Sequence, residues 1–331
     1  DSPAGALQRL SLDEVKGGGN DFKLEVKAKP DHSLAIALTG ASLDARPLLS
    51  TPGDAADKRK AREARLAKRA QPQEPGPRYD LSLQAARVVT GDQGRALTGL
   101  KGKLRNDGIG WDSIELDARA AGSPAGFSVR YLPAGGRRVL SVTSEDAGAV
   151  LRALDLTDSV EGGTFSLTGS GEPGIPARPV TGKLEVGEFK VVGAPLLARL
   201  LSALSVTGLI DLLNGEGLAF SQLAGDLTWS DDTLELTDVR TSGGALGLTV
   251  GGTVDLAADT LALEGTIVPV YGLNRILGLV PVLGDLLSGG KGQGLFAATY
   301  HLTGSAAEPD ISVNPLAVLA PGFLRNLFFL N

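Results

Sequence analysis

Paired carboxylates are the side chains in this sequence that could perform acid–base chemistry. Asp231 and Asp232 are adjacent between two segments of alternating apolar and polar residues, and Glu145 and Asp146 lie in the stretch "TSEDAG". Glycoside hydrolysis uses two positioned carboxyl groups, one as an acid and the other as a base or nucleophile. Neighbouring acids at a hairpin tip or a helix start are instead typical of turn formers and caps. We therefore expect no catalytic residues and no enzymatic activity.

The sequence also contains few side chains that could bind a metal ion or a cofactor. The sequence has no cysteine and two histidines, His32 and His301, at predicted turn or strand positions without a second ligand nearby, so no zinc site is expected. The glycine stretches "GGGNDF" and "GGTVDL" lack the spacing of phosphate-binding loops and are predicted to be turns. Trp111 and Trp229 could stack on a sugar, but strand-end tryptophans with apolar neighbours are typical of packing. We expect no cofactor.

Composition restricts the class of protein. The 331 residues include 45 glycines, and aromatic residues make up only 5%; short apolar runs separated by glycine favour a β-rich fold. The net charge of -6 argues against nucleic acid as the main partner. The absence of methionine predicts a processed product or a piece of a longer protein. The sequence contains no signal peptide and no unbroken apolar run of membrane-spanning length.

The elements that would position any site are short strands. "FKLEVKA" places Phe22, Leu24 and Val26 on one face and charged residues on the other, and "LAIAL" repeats the alternation after the turn "KPDHS". The same period of two recurs from Tyr79 onwards. This pattern predicts a meander of short antiparallel strands, each with one apolar face.

Short amphipathic helices interrupt these strands. "SEDAGAVLRAL" opens with Ser144 and acidic residues, which is a helix-start signal. Ala194–Leu204 and Val206–Gly215 are predicted to form a tight helical pair, the second ended by "NG". A further helix is predicted in "YGLNRILGLV", ended by Pro281.

The apolar faces of so many strands need a cover that a few short helices cannot supply. A second sheet would cover them in a sandwich, and closure of the sheet on itself would cover them in a barrel. A curved open sheet could instead keep its apolar face for an apolar ligand. Periodicity alone does not choose among these three architectures.

The sequence divides into four segments. Residues 1–53 are predicted to form strands, residues 54–77 a basic proline-rich insert, residues 78–193 a second strand module, and residues 194–331 a C-terminal module with short helices. The insert is predicted to be a flexible, solvated excursion, with contact to anionic lipid headgroups as the alternative. Its only large apolar residue is Leu66, so it lacks the apolar face of an interfacial helix.

Four motifs between Gly265 and Phe328 carry a family resemblance: "VPVYGLN", "PVLGDLLSGGKGQGLF", "EPDISVNPL" and "LAPGFLR". Together they resemble the C-terminal module of bacterial AsmA-like proteins, in particular the YhdP-type branch. The upstream stretches "LDARPLL", "DAGAVLRALDL" and "EGGTFSLTG" also fit, so the resemblance covers nearly the whole chain, more loosely before residue 140. The basic insert is the main departure from the family pattern.

This resemblance implies a mainly β fold, a long curved antiparallel sheet that forms a half-pipe or groove of repeated β-meanders, with a few short helices. AsmA-like proteins are similar to bridge-like lipid transfer proteins. The family implies a location in the periplasm of a Gram-negative bacterium, with the parent protein anchored in the inner membrane by a helix outside this chain. It implies a non-enzymatic role in carrying phospholipid between the inner and outer membranes and in supporting the outer-membrane barrier. The expected partners are phospholipid, a membrane surface and other envelope proteins.

Under this interpretation, apolar strand residues line the lipid groove or pack beneath the helices. The predicted lining residues are Phe127, Val129, Phe165, Leu167, Leu227, Trp229, Leu234, Leu236, Leu246, Leu248, Val250, Leu261, Leu263 and Ile267. Apolar tail residues are predicted to plug the end of the groove or to dip into a membrane: Leu324, Leu327, Phe328, Phe329 and Leu330. The alternative function is a periplasmic scaffold for outer-membrane proteins that acts through exposed strand edges.

Overall fold

The computed structural model of this protein describes residues 8–49, 76–172, 179–230, 232–269, 297–306 and 308–316. Most of the basic insert, the helix predicted in "YGLNRILGLV" from Tyr271 and the predicted tail residues from Leu324 to Leu330 lie outside these residues. Asp231 also lies outside them. Within the described residues, no helix has both the length and the apolar character needed to cross a bilayer.

Strands dominate the described chain. They are β1 (Arg9–Gly17), β2 (Asn20–Ala28), β3 (Leu34–Asp44), β4 (Tyr79–Val89), β5 (Ala96–Asn106), β6 (Trp111–Ala120), β7 (Gly126–Ala134), β8 (Arg137–Ser144), β9 (Val160–Gly171), β10 (Val180–Val191), β11 (Leu218–Ser230), β12 (Thr233–Ser242), β13 (Leu246–Asp255), β14 (Thr260–Pro269), β15 (Ala297–Ser305) and β16 (Asp310–Leu316). The described helices are α1 (Arg46–Leu49), α2 (Ala147–Ala153), α3 (Pro195–Ala203) and α4 (Thr207–Asn214).

All sixteen described strands belong to one sheet, in which each strand neighbours the next along the chain. Where the register of two neighbouring strands is described, the strands are antiparallel. The exception is the pair of β3 and β4, which is parallel. A parallel pair needs a connection of roughly a dozen residues or more to return the chain to the same end of the sheet. The segment between Asp44 and Tyr79, which contains the basic insert, supplies that length. The predicted mainly β sheet with a few short helices is confirmed.

The chain divides into two compact units. Unit 1 consists of Asp1–Asp158 and Phe165–Gly182, and unit 2 consists of Ser159–Thr164 and Lys183–Asn331. The strand β9 contributes residues to both units. The finer division into four segments stays a prediction.

The helix α2 covers one part of the unit 1 sheet. It begins after Asp146, whose carboxylate accepts a hydrogen bond of 2.9 Å from the backbone N–H of Ala149, so this residue rather than Ser144 is the helix cap. Val150 and Ala153 on its inner face are each 6% exposed. They form a core with strand residues that are mostly small, namely Ala85, Val88, Leu97, Ala118 and Ala120.

The helices α3 and α4 build a larger core in unit 2. Both predicted helices are confirmed, and α4 ends at Asn214, as the "NG" signal indicated. Leu201 of α3 and Leu213 of α4 are both 0% exposed. The other buried members of this core are Phe189, Leu200, Leu209, Leu218, Phe220, Leu246, Ile267, Ala298, Tyr300 and Leu302.

Candidate functional site

Apolar side chains of unit 1 form rows that run across the sheet from strand to strand. Alternation places every second residue on one face, and in-register pairing brings those residues opposite one another. The central row consists of Leu12, Leu24, Leu38, Leu83, Gly102, Leu116, Val129, Val142 and Leu167. The outer row beside it consists of Leu10, Val26, Ile36, Leu81, Leu104, Ile114, Tyr131, Leu140 and Gly169.

These two rows form an apolar surface that remains partly open to solvent. Most of their side chains are half-buried, while Leu10 and Leu12 at the edge strand are 40% and 41% exposed. Because every described strand belongs to the same sheet, no second described sheet covers them. With strands spaced about 4.8 Å apart, the central row extends roughly 38 Å across the strands.

One end of this apolar surface is closed by protein. Here the strand residues Ala85, Leu97 and Ala118 lie in the core beneath α2. Phe127, one of the predicted lining residues, packs against that core. Phe165 pairs across β8–β9 with Ser144, which is 7% exposed and lies two residues before the α2 cap, Asp146.

The opposite end, reached by following the strands away from α2, carries aromatic and charged residues. Tyr79 and Trp111 contact each other edge to face, with ring centroids 5.9 Å apart. Trp111 is 40% exposed. Tyr131 is the member of the outer row on β7, where it pairs with Leu140. Arg138 lies two residues before Leu140 on the same face of β8. This aromatic end therefore combines apolar rings with polar groups, as at a boundary between hydrocarbon and water.

The other face of unit 1 is polar and densely charged. Lys103 and Glu115 pair across β5–β6, and Glu25 of β2 forms an ion pair with Arg9 at 2.6 Å. A shallow depression of about 430 Å³ on this face is lined by residues of both charges. Contacts with Lys29 and Arg105 lower the pKa of Asp80 at this depression, the lysine contributing most. A sheet with one apolar and one charged face can hold an apolar ligand on the first and water on the second.

Unit 2 has the same kind of apolar rows. The first consists of Leu227, Leu236, Gly252, Leu263, Leu302 and Ile311. The second consists of Trp229, Leu234, Val254, Leu261 and Gly304. Cross-strand register thus brings together six of the predicted lining residues, which lie in β11, β12 and β14: Leu227, Trp229, Leu234, Leu236, Leu261 and Leu263. Trp229 at the far end is 48% exposed.

The predicted lining residues nearest α3 and α4 have a different environment. Leu246 and Ile267 are 1% and 0% exposed and belong to the core beneath these helices. Leu248 and Val250 are half-buried and pack against the same core. In this structure Leu246 and Ile267 are thus packing residues. Leu261 and Leu263 also pack against this core, and Leu227 is 8% exposed. Of the predicted lining residues in the two unit 2 rows, Trp229, Leu234 and Leu236 keep part of their surface open without contacting this core.

A local opening of the unit 2 sheet is filled by Tyr300. The β13–β14 ladder lacks pairs between Leu248↔Ile267 and Gly251↔Glu264. The Tyr300 hydroxyl donates a hydrogen bond of 2.7 Å to the carbonyl oxygen of Thr249 there. Burial of this side chain raises its pKa above the ordinary tyrosine value.

A depression of about 630 Å³ lies over the opening on the polar side, lined by charged and hydroxyl side chains. Within it, His301 Nδ1 lies 3.5 Å from Glu264 Oε2. Among the described residues, no three histidine or carboxylate side chains are placed to hold a metal ion. The threonine hydroxyls, the Arg240–Asp238 ion pair and the His301–Glu264 contact of this depression form no nucleophile–base arrangement that we can assign to a reaction.

Sequence reasoning missed much of the apolar surface of unit 1. The lining predicted from the sequence did not include the rows in β1, β4, β5 and β6, although the alternation is visible there, for example at Leu81 and Leu83 in "YDLSLQA". The alternation could have identified which residues share a face. It could not have shown that α2 covers one end and leaves the other open, because that depends on contacts distant in sequence.

Comparisons with known proteins give no further constraint. No protein-family model matches the chain, and neither a curated protein nor a solved structure matches it. The site is therefore interpreted from its own residues: two apolar surfaces, each closed by helices at one end and bearing an exposed tryptophan at the other.

Proposed function

We propose that the chain is a non-enzymatic lipid carrier whose apolar sheet surfaces hold phospholipid acyl chains. The observation that carries this proposal is the central row of unit 1, which is apolar across nine strands and only half-buried. A row of roughly 38 Å exceeds the roughly 15 Å that one leaflet contributes to a bilayer core of about 30 Å. The surface is therefore long enough for an acyl chain.

The free energy of apolar burial favours mobile binding of an acyl chain over tight binding at one fixed position. Burial of apolar area contributes about 25 cal/mol per Å², independent of direction, so an acyl chain on these rows is stabilised without a fixed position. The charged opposite face keeps the sheet solvated. Two such surfaces in one chain agree with a protein that accommodates long or several acyl chains.

The sequence motifs supply the cellular setting of the proposal. The resemblance to AsmA-like proteins supports an envelope protein of a Gram-negative bacterium that carries phospholipid between the inner and outer membranes and supports the outer-membrane barrier. The periplasmic location and the inner-membrane anchor of the parent protein are parts of this proposal.

The test uses two neighbouring substitutions on opposite faces of β9. Leu167 lies in the central row, whereas Thr168 pairs with Ser141 on the polar face and is exposed. The protein is purified without detergent, its lipids are extracted for mass spectrometry, and transfer of a labelled phospholipid between vesicles is measured. Leu167→Asp should reduce both co-purified phospholipid and transfer several-fold, because an unpaired carboxylate in an apolar surface disfavours acyl chains. Thr168→Asp should leave both unchanged.

The proposal fails if the unaltered protein neither retains nor transfers phospholipid. It also fails if the two substitutions have equal effects at equal thermal stability, since acyl-chain binding on this face requires a difference between them.

The edge strand β1 supports the scaffold alternative. Eight of its nine residues are exposed, and it is the first strand of the sheet order, so no described strand pairs with its outer edge. Such an edge suits strand addition. A photo-cross-linking residue at Asp13 on β1 and another at Leu167 distinguish the two functions in cells. A carrier gives lipid adducts at Leu167, and a scaffold gives outer-membrane-protein adducts at Asp13.

A further inference from the structure

One arginine of unit 1 lies on the apolar face instead of the polar one. Arg138 shares its strand face with Leu140 and Val142, because β8 pairs with both neighbours without a register shift. Its side chain is only 12% exposed. Removing a guanidinium from water is costly unless its donors find acceptors, so its hydrogen bonds identify what the position is suited to bind.

The donors of Arg138 are incompletely used. Nη2 donates to Oδ1 of Asp112. Nε is buried and has no hydrogen-bond partner among the described residues. A guanidinium presents five N–H donors in a planar fork that suits the oxygens of carboxylate and phosphate. Nη2 of Arg138 is therefore held by Asp112, whereas its Nε has no acceptor among the described residues.

A second donor without an assigned acceptor lies beside it. Tyr131 pairs with Leu140, which places it diagonally opposite Arg138 across β7–β8 and within reach of a long side chain. No hydrogen bond to its hydroxyl is found among the described residues. Burial raises the pKa of Tyr131, and the charges of Arg138 and Asp112 both act on it, so the hydroxyl stays protonated near neutral pH and can donate.

We propose that the aromatic end of unit 1 binds the phosphodiester of a phospholipid headgroup, with Arg138 and Tyr131 as donors to its oxygens. This inference rests on the proposed acyl-chain function, since the acyl chains of the same lipid lie on the central and outer rows. The Tyr79–Trp111 pair then lies at the level of the glycerol backbone, where amphipathic rings are favoured.

The nearby acidic groups position the arginine. Asp112 also lies 3.9 Å from Arg105 Nη1, so its charge is shared between two arginines. Hydrogen bonds from the backbone of Gly110 and Ile109, together with the field of Arg138, lower the pKa of Asp107 in the adjacent turn. This carboxylate is therefore charged and satisfied by the backbone, and Nε of Arg138 remains the donor for which a ligand would supply the acceptor.

The experiment compares two lipids that differ only in the headgroup. Binding of phosphatidylglycerol and of diacylglycerol with the same acyl chains is measured on the full chain. The unaltered protein should prefer the phospholipid by about tenfold or more, as a charge-assisted hydrogen bond predicts. Arg138→Gln should remove this preference and retain diacylglycerol binding, which also shows that the apolar face is intact. Arg137→Gln is the matched control, because Arg137 is exposed on the other face of the same strand.

Two further arms keep the test decisive. Tyr131→Phe should weaken the preference without changing diacylglycerol binding, and it preserves the Arg138–Asp112 pair if Arg138→Gln proves unstable. Excess inorganic phosphate should not displace the phospholipid; displacement would indicate a free-anion site and overturn the headgroup assignment.

The failures of the two proposals differ. Equal binding of both lipids by the unaltered protein, or an equal loss of preference in Arg137→Gln, overturns the headgroup site and leaves the acyl-chain function standing. Absence of binding to either lipid overturns the proposed function, and the headgroup site with it.

Discussion

Tyr300→Phe tests whether a hydroxyl completes the unit 2 sheet where its ladder is interrupted. The hydroxyl lies 2.7 Å from the Thr249 carbonyl oxygen, and the side chain is 3% exposed. Its removal takes the hydroxyl donor from a carbonyl oxygen that borders the solvent-filled depression, so the loss is the net value of one hydrogen bond, about 1 kcal/mol. With a urea m-value of about 2 kcal/mol per M, the unfolding midpoint should fall by about 0.5 M.

The unfolding of each unit can be followed separately by fluorescence, because each unit contains one tryptophan. Trp229 in a Trp111→Phe background reports the unfolding of unit 2 alone, which avoids treating two units as one transition. Tyr131→Phe, monitored through Trp111 in a Trp229→Phe background, is the control, since no hydrogen bond to the Tyr131 hydroxyl is found among the described residues. It should cost less than about 0.5 kcal/mol.

The same residue predicts a pH dependence. Burial raises the pKa of Tyr300 in the folded state above its unfolded value of about 10. The folded protein therefore binds more protons above that pH, and stability falls as pH rises past about 10. Tyr300→Phe should reduce this alkaline loss. If Tyr300→Phe and Tyr131→Phe have equal small costs and the alkaline slope is unchanged, the hydroxyl does not complete the sheet and the reasoning is refuted.

Three further predictions concern the elements that frame the apolar surfaces. Gly265→Ala should destabilise unit 2 by more than about 2 kcal/mol, because a Cβ there would overlap the Thr249 carbonyl oxygen and lie 2.7 Å from the Tyr300 hydroxyl oxygen. Urea unfolding through Trp229 measures this loss. Gly208→Ala, at a position of α4 with open space, is the control and should not destabilise; the same result for Gly265→Ala would contradict the prediction. Leu213→Ala should cost about 2–5 kcal/mol by leaving a cavity beneath α4, which the same assay detects. Asp146→Ala should cost about 0.5–2 kcal/mol through loss of the α2 cap, measured through Trp111, whereas Asp146→Asn should retain most of the stability.

Much of the sheet could be predicted from local pattern. The alternation around Phe22 and around Leu248 identified strands with one apolar face, and the helix signals before Val150 and after Leu213 were sound. The parallel pairing of β3 with β4 was not foreseen, because both partners show the same alternation in either orientation.

The candidate site was only partly predictable for a related reason. Leu246 and Leu248 have the same type and spacing, yet one is 1% exposed beneath the helices and the other is half-buried. Arg138 could be assigned to the face of Leu140 from alternation, but its contact with Asp112 joins residues distant in the chain. No local pattern reports how many of its donors are used.

The sequence by itself determined which side chains share a face, because a period of two is a property of the strand backbone alone. Tertiary structure decided which of those faces are covered, which cross-strand partners align into rows and where a guanidinium is left with a free donor. These outcomes depend on register and helix placement, which are settled by contacts between segments far apart in the chain.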